Sequence, residues 1–256
     1  MRTCVVIPVY KNMLSNFEKI SLQQTAHVLS DFDIYFCEPQ SLDSEKIRNK
    51  YPVIKVEKFE DDFFKGIIGY NKLMLSTCFY ERFEAYDYML LCQLDAYVFK
   101  NDLEFWTNKG YDYIGSPWLT NPDTIFKKIK RLFASNIKKE REEIFFKVGN
   151  GGFSLRKIKT FKKILKENPD KIQQQLSIPE KSYKLMEDIF WSLEAPKLEP
   201  NFVIPGYQEA IYFSLDRRPK LGFKLTNGEY PFGCHGFNKN NVLNFWKSKI
   251  PKLNIL

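Results

Sequence analysis

Four short segments hold side chains that can do chemistry. The first is Gln93-Leu94-Asp95, at the end of the apolar run Tyr88–Cys92. In open α/β sheets, ligands bind beyond the carboxyl ends of the strands. A carboxylate there can hold a divalent cation bridging two phosphates, and an Asp at the same place can simply cap a turn. The second is Gly149-Asn150-Gly151-Gly152, three glycines in four positions between two hydrophobic stretches. Such a loop permits unusual φ and close backbone approach, and Asn150 can hydrogen-bond a hydroxyl. No Gly-Lys-Ser/Thr follows it, so it is not a phosphate-cradling P-loop. The third is Glu187-Asp188, whose carboxylates either serve a helix start or act as a general base. The fourth is Gly233-Cys234-His235-Gly236, which holds one of only two histidines. An imidazole in that loop can complete a metal site or bind a phosphate, while His27, on an early helix, reads as structural.

Positioning these groups requires a sheet. Residues 3–9 are a nearly continuous β-branched run, suited to a buried parallel strand. Phe32–Cys37, Val53–Phe59 and Tyr88–Cys92 read as further strands. Helices are expected over 15–29, where Ser15 and Glu18 form a capping-box pair, and over 66–84. Strand and helix alternate, which argues a doubly wound α/β sheet. Beyond Asp95 the pattern loosens. A short helix is expected at Leu103–Trp106, a strand at Tyr111–Gly115, weak helical periodicity over 121–143 and a basic helix over 157–167 ended by Pro169. Another helix opens at Glu187–Trp191, and short strands are expected at 210–215 and 222–225.

Composition narrows the function classes. The 256 residues are 44% hydrophobic and 27% charged, as in a globular protein with a substantial core. Five cysteines form no C-x-x-C pair; Cys4, Cys37 and Cys92, inside expected strands, read as small buried thiols in a reducing compartment, and only Cys234 lies in a functional segment. The N-terminal apolar run is too short for a secretory signal, and nothing approaches the roughly 20 apolar residues of a membrane span. A cytoplasmic protein is expected, free or peripheral at an anionic membrane. The net charge of +8 concentrates in Lys127–Lys139 and Lys157–Lys166. These are solvated helix faces or a surface for anionic lipid; no nucleic-acid module is present.

In their order, these segments resemble the GT-A glycosyltransferase superfamily, and most closely the bacterial DUF5672 family. The resemblance rests on Val5 to Tyr10, Gly69-Tyr70-Asn71-Lys72-Leu73, Gln93 to Ala96, Tyr111 to Trp118, Val148 to Arg156, Glu187-Asp188 and Gly233 to Phe237, and covers roughly residues 3–238. It implies one GT-A-like α/β domain over 1–256, with a mixed sheet flanked by helices. The nucleotide half would span about 1–100, the acceptor and catalytic half about 101–240, and a basic aromatic tail 241–256. It implies a nucleotide-diphospho-sugar donor such as a UDP-sugar, a glycan or glycolipid acceptor of bacterial surface-glycan synthesis, and Mn²⁺ or Mg²⁺. Pro8, Tyr10, Asn71, Lys72, Gln93 and Asp95 would border the donor; Trp118, Asn150, Gly151 and Gly152 would wall the sugar and acceptor. Asp95 and His235 would hold the metal. Asp188, with Glu187 beside it, would be the base of an inverting transfer. One departure stands out: Gln93 replaces the first Asp of the superfamily's Asp-x-Asp motif, and an amide is a weaker cation ligand.

Two other classes fit less well. A sugar-phosphate nucleotidyltransferase carries a Gly-rich loop after its first strand, whereas Tyr10-Lys11-Asn12-Met13 has no glycine. A non-catalytic basic binding module leaves the clustering of Asp95, Asp188 and His235 at element ends unexplained.

Overall fold

The computed structural model describes residues 1–121 and 141–255. Strands β1 (Thr3–Pro8), β2 (Asp33–Pro39), β3 (Lys55–Phe59) and β4 (Tyr88–Cys92) are followed by β5 (Ala96–Val98), β6 (Tyr113–Ile114), β7 (Phe153–Lys157), β8 (Ser214–Leu215) and β9 (Gly233–His235). The main sheet has the order β3-β2-β1-β4-β7-β6. Its first four strands are parallel, β7 runs antiparallel to β4, and β6 antiparallel to β7.

The β-branched run of β1 has a direct cause. Every residue of the strand is buried, and alternate residues enter different cores. Val5 and Ile7 join Leu90 and Leu22 on one face, while Cys4 and Val6 join Leu91, Phe79 and Phe161 on the other. Helix Asn16–Val28 covers the first face and starts with the expected capping box, Ser15 Oγ accepting from Glu18 N at 3.3 Å and Glu18 accepting from Ser15 N at 2.8 Å. Helices Gly66–Met74, Thr77–Glu81 and Ile158–Glu167 cover the second. Because β1 lies between β2 and β4, connections leave it to both sides. The carboxyl ends of β1 and β4 therefore open onto a crevice, and Pro8 and Gln93 stand at its edge.

A second sheet, β5-β9-β8, is formed after the Gln93–Asp95 turn and pairs Ala96 with His235. The tail from Asn240 forms a helix, Asn240–Lys247, whose Trp246 is buried against Phe99 and Phe223.

Several boundaries differ from expectation. The 66–84 segment is two helices that break at Leu75–Ser76. Residues 210–215 are mostly the helix Tyr207–Phe213, with only Ser214–Leu215 extended, and 222–225 lie in the helix Pro219–Leu225. Both are short apolar runs whose period is ambiguous, and Pro219 supplies the fixed φ that suits a first helical turn. Pro169 likewise opens a helix, Pro169–Leu176, rather than only ending one. The basic cluster Lys127–Lys139 lies outside the described residues. On the helix Ile158–Glu167, Lys162, Lys163 and Lys166 pair with Glu84, Glu199 and Glu81, the arrangement of a solvated face. Among the described residues, no helix is long and apolar enough to cross a membrane.

Candidate active site

The site is built outward from the end of β4. Gln93 N donates to Gly152 O at 2.8 Å, continuing the β4–β7 ladder by one residue. Ala96 N donates back to Gln93 O at 2.9 Å and closes a turn around Leu94 and Asp95. The Asp95 carbonyl accepts from Gly236 N at 2.8 Å, tying the turn to the end of β9. These bonds bring three side chains together. His235 Nε2 lies 3.1 Å from Asp95 Oδ1 and 3.3 Å from Gln93 Oε1.

The other ring nitrogen faces a residue that sequence reasoning missed. His235 Nδ1 is 3.8 Å from Asp216 Oδ1 and 3.0 Å from Asn150 Nδ2. Asp216 is buried, and Asn150 Nδ2 donates to its Oδ2 at 3.1 Å. Its only sequence signal is its place at the end of the two-residue strand β8. Burial works to lower the His235 pKa, but the Asp95 and Asp216 carboxylates outweigh it and push the ring up to about 9. Burial likewise opposes the ionised forms of Asp95 and Asp216, yet the histidine charge holds both carboxyls below their ordinary value. Asn150 Nδ2 favours a neutral ring that accepts at Nδ1; a charged ring would turn Nδ1–H toward Asp216 Oδ1, which has no other hydrogen bond.

Two oxygens and an imidazole nitrogen are a donor set that suits a divalent cation such as Mn²⁺, provided His235 Nε2 gives up its proton. Among the described residues no three His, Cys, Asp or Glu side chains gather as a cation site; this set has the Gln93 amide as its third donor.

The glycine loop joins this cluster to the carboxylate pair. A Cβ on Gly152 would lie 2.1 Å from His235 Nε2, and one on Gly151 would lie 2.1 Å from Glu187 Oε1. Gly149 has the Trp118 ring where a Cβ would stand, at 1.9 Å. Each glycine is thus required by what packs on it. Asn150, at φ 81°, takes the left-handed conformation that Asn tolerates. Its Oδ1 accepts from Gly152 N and Phe153 N at 2.9 and 3.1 Å. With Nδ2 engaged by Asp216 and His235, its amide holds the loop and is not free for a sugar hydroxyl.

Glu187 and Asp188 have different surroundings. Glu187 is 2% exposed and accepts from Arg156 Nη2 at 2.8 Å, while Asn71 Oδ1 accepts from Glu187 N at 3.0 Å. Arg156 is itself fully buried and also donates to Tyr80 Oη and Ser154 Oγ, both at 3.0 Å. Burial pushes the Glu187 carboxyl up to about 7 against the pull of Arg156. Glu187 is therefore an anchor, which corrects its expected catalytic place. Asp188 is only half-buried; its Oδ2 accepts from Gly151 N at 3.3 Å. Burial raises its pKa, opposed first by the backbone N–H groups of Gly151 and Ile189. That leaves Asp188 as a carboxylate with raised basicity, held by backbone N–H groups while Arg156 pairs with Glu187.

A cavity of about 460 Å³ opens beside the turn, walled by Pro8, Tyr10, Phe63, Tyr70, Gln93 and Asp95 among others. Tyr70 Oη donates to Gly151 O at 3.2 Å and so links the cavity wall to the glycine loop. Lys72 is exposed on the outer face of its helix, and Asn71 is buried behind Glu187; neither lines the cavity, contrary to expectation. Trp118 is buried against Ile144 and Ile189 beneath the loop.

The architecture has known counterparts. Mouse xyloside xylosyltransferase 1, apo form, superposes with a TM-score of 0.56 at 11% identity, over 92% of this chain and 98% of that one. A glycosyltransferase involved in glycosylation of the major capsid of PBCV-1 gives 0.55 at 8% identity, over 98% and 100%. At these identities the likeness is one of fold, the GT-A fold of a mixed six-stranded sheet flanked by helices. A search of curated proteins with the sequence finds no match. The family described as "Protein of unknown function (DUF5672)" matches residues 53–235, from just before β3 through the site histidine. The chain thus belongs to the DUF5672 family and carries a GT-A fold.

Proposed function

We propose that this protein transfers a sugar from a nucleotide-diphospho-sugar to a hydroxyl of a glycan or glycolipid, with inversion at the anomeric carbon. One observation carries the reading: the Asp95–His235 pair at the cavity mouth and the separate carboxylate of Asp188 meet on the adjacent residues Gly152 and Gly151.

In this reading the nucleotide lies in the cavity along Pro8, Tyr10 and Tyr70, with its diphosphate toward the Gln93–Asp95 turn. A divalent cation, when bound, supplies positive charge to the diphosphate leaving group, and Asp95, His235 and the Gln93 amide are the residues that would hold it. Gly151 and Gly152 let Glu187 and His235 pack directly on the loop and so hold the two groups in place. Asp188 takes the proton from the attacking acceptor hydroxyl, and its raised basicity suits that task. Tyr70 orients the loop through Gly151 O, and Arg156 through Glu187 fixes the segment that carries Asp188.

The test is turnover of a panel of UDP- and GDP-sugars, followed by NMR of the product's anomeric proton. Absence of both hydrolysis and transfer, with no thermal shift on adding nucleotide, would reject the reading. A retained anomeric configuration would keep the transferase but move Asp188 from the acceptor to the donor sugar.

A further inference from the structure

After β8 the chain runs from the buried Asp216 into Arg217-Arg218-Pro219-Lys220. A second cavity of about 290 Å³ lies there, walled by Arg217, Arg218, Lys220, Asn241, Val242 and Phe245 among others. Among the described residues, no acidic side chain lines it. Arg217, Arg218 and Lys220 are exposed, and among the described residues no carboxylate pairs with Arg218 or Lys220. This differs from the helix Ile158–Glu167, where three lysines are matched by local glutamates.

The groove is tied to the catalytic side of the molecule. Arg217 Nε is 3.9 Å from Asp216 Oδ2, and Asp216 contacts Asn150 and His235. The charge of Arg217 also acts on Asp188. The groove and the donor cavity share no lining residue, yet Asn238 lines one and Asn241 the other. Between them, Lys239 Nζ lies 3.6 Å from Asp216 Oδ1. Two neighbouring cavities with different chemistry fit two substrates. The donor cavity offers aromatic walls and the Asp95–His235 pair; the groove offers guanidinium and ammonium groups over the apolar side chains Val242 and Phe245.

We propose that the Arg217–Arg218–Lys220 groove binds the acceptor through an oxyanion, a phosphate or carboxylate borne on the acceptor sugar, and so presents a nearby hydroxyl to Asp188. This rests on the transferase reading. Guanidinium groups bind such anions with paired hydrogen bonds, which adds orientation as well as attraction. The apolar side chains provide a surface for a sugar face. The donor's own diphosphate has its place at the other cavity, so the groove serves the second substrate.

The test uses the full-length ¹⁵N-labelled protein titrated with inorganic phosphate, then with glucose 6-phosphate and with glucose. Saturable shifts are expected at the amides of Arg217, Arg218, Lys220 and Leu221 and of Asn241–Phe245 for both phosphates and not for glucose. The double substitution Arg218→Gln/Lys220→Gln should weaken them by about tenfold or more, with an unchanged melting temperature as the check on folding. Equal affinity in the double variant, or shifts confined to residues 93–95 and 235, overturns the proposal. So does flotation with phosphatidylglycerol vesicles that is lost in the double variant while glucose 6-phosphate leaves the groove unshifted, because the groove then faces a membrane. Donor hydrolysis by the wild-type protein separates the two failures. Hydrolysis without groove shifts removes the acceptor site alone; groove shifts without any donor turnover remove the transferase reading and, with it, the acceptor role.

Discussion

His235 stands between two carboxylates, with Nε2 3.1 Å from Asp95 Oδ1 and Nδ1 3.8 Å from Asp216 Oδ1. The imidazole is thereby coupled to two elements, the turn after β4 and the end of β8. The arrangement has a pH signature. The His235 pKa rises from 6.5 to about 9 in the folded protein, because the two carboxylates outweigh burial. A group whose folded pKa is raised stabilises fully below its unfolded pKa and loses that stabilisation as pH climbs through the folded value. The net rise corresponds to about 3 kcal/mol of pH-dependent stability, counted once for the three coupled groups. Urea unfolding of the wild type and of His235→Asn should differ most at about pH 6 and converge towards about pH 9.5. A stability gap that is constant over that range would show that His235 is not held protonated.

Asp188 and Glu187 are neighbours in sequence with opposite predicted phenotypes. Asp188→Asn removes the proposed base while keeping an acceptor oxygen for Gly151 N. Transfer should fall by about 10²- to 10⁴-fold, with donor affinity measured by calorimetry preserved. Glu187→Gln should instead lower the midpoint of urea unfolding, because a neutral amide faces the buried Arg156 charge. If Asp188→Asn weakens donor binding as much as transfer, the carboxylate belongs to the donor site.

Gly152→Ala tests the meeting point itself. Its Cβ would fall 2.1 Å from His235 Nε2 and 2.7 Å from Gln93 Oε1, both ends of side chains that can move. The expected stability cost is about 1–3 kcal/mol, with transfer falling far more than the melting temperature implies. At Gly115, by contrast, a Cβ would meet the Gly149 carbonyl at 1.8 Å, where only the backbone can yield, so Gly115→Ala should hinder folding. Circular dichroism and activity measured side by side distinguish the two outcomes.

The sequence made the parallel half of the fold legible because its signals are local. β1 is a run buried on both faces, and Ser15 and Glu18 spell a capping box that forms. The position of Asp95 at the end of β4 followed from the same kind of reading, whereas His235, expected in a loop, ends the three-residue strand β9 that pairs it with Ala96. What escaped was set by tertiary pairing. Asp216 follows a strand of only two residues, and nothing near it in sequence reveals that it packs on His235. Arg156 closes the Val148–Arg156 segment with no role readable from its neighbours in sequence, and β7 turns it inward onto Glu187. Asn71 and Lys72 are adjacent on a helix, so at most one of them could face inward, and the one that does is occupied by Glu187 N rather than exposed to the cavity.

The buried Arg156–Glu187 pair offers a cycle that separates anchoring from chemistry. The side chains are 0% and 3% exposed and 2.8 Å apart. Arg156→Met leaves the Glu187 carboxylate without its cation in a site that already disfavours ionisation, and should destabilise by about 3–5 kcal/mol. Arg156→Met combined with Glu187→Leu removes both charges, and should recover a large part of that loss, since well-packed apolar replacements of a buried pair are often neutral. Activity should not follow stability. Without the pair, the segment bearing Asp188 loses its buried side-chain anchor and keeps its polar bonds to Asn71 and Gly151, so kcat should stay depressed in the refolded double variant while donor affinity is unchanged. Recovery of kcat together with stability would mean that Arg156 only supports the fold and does not position Asp188.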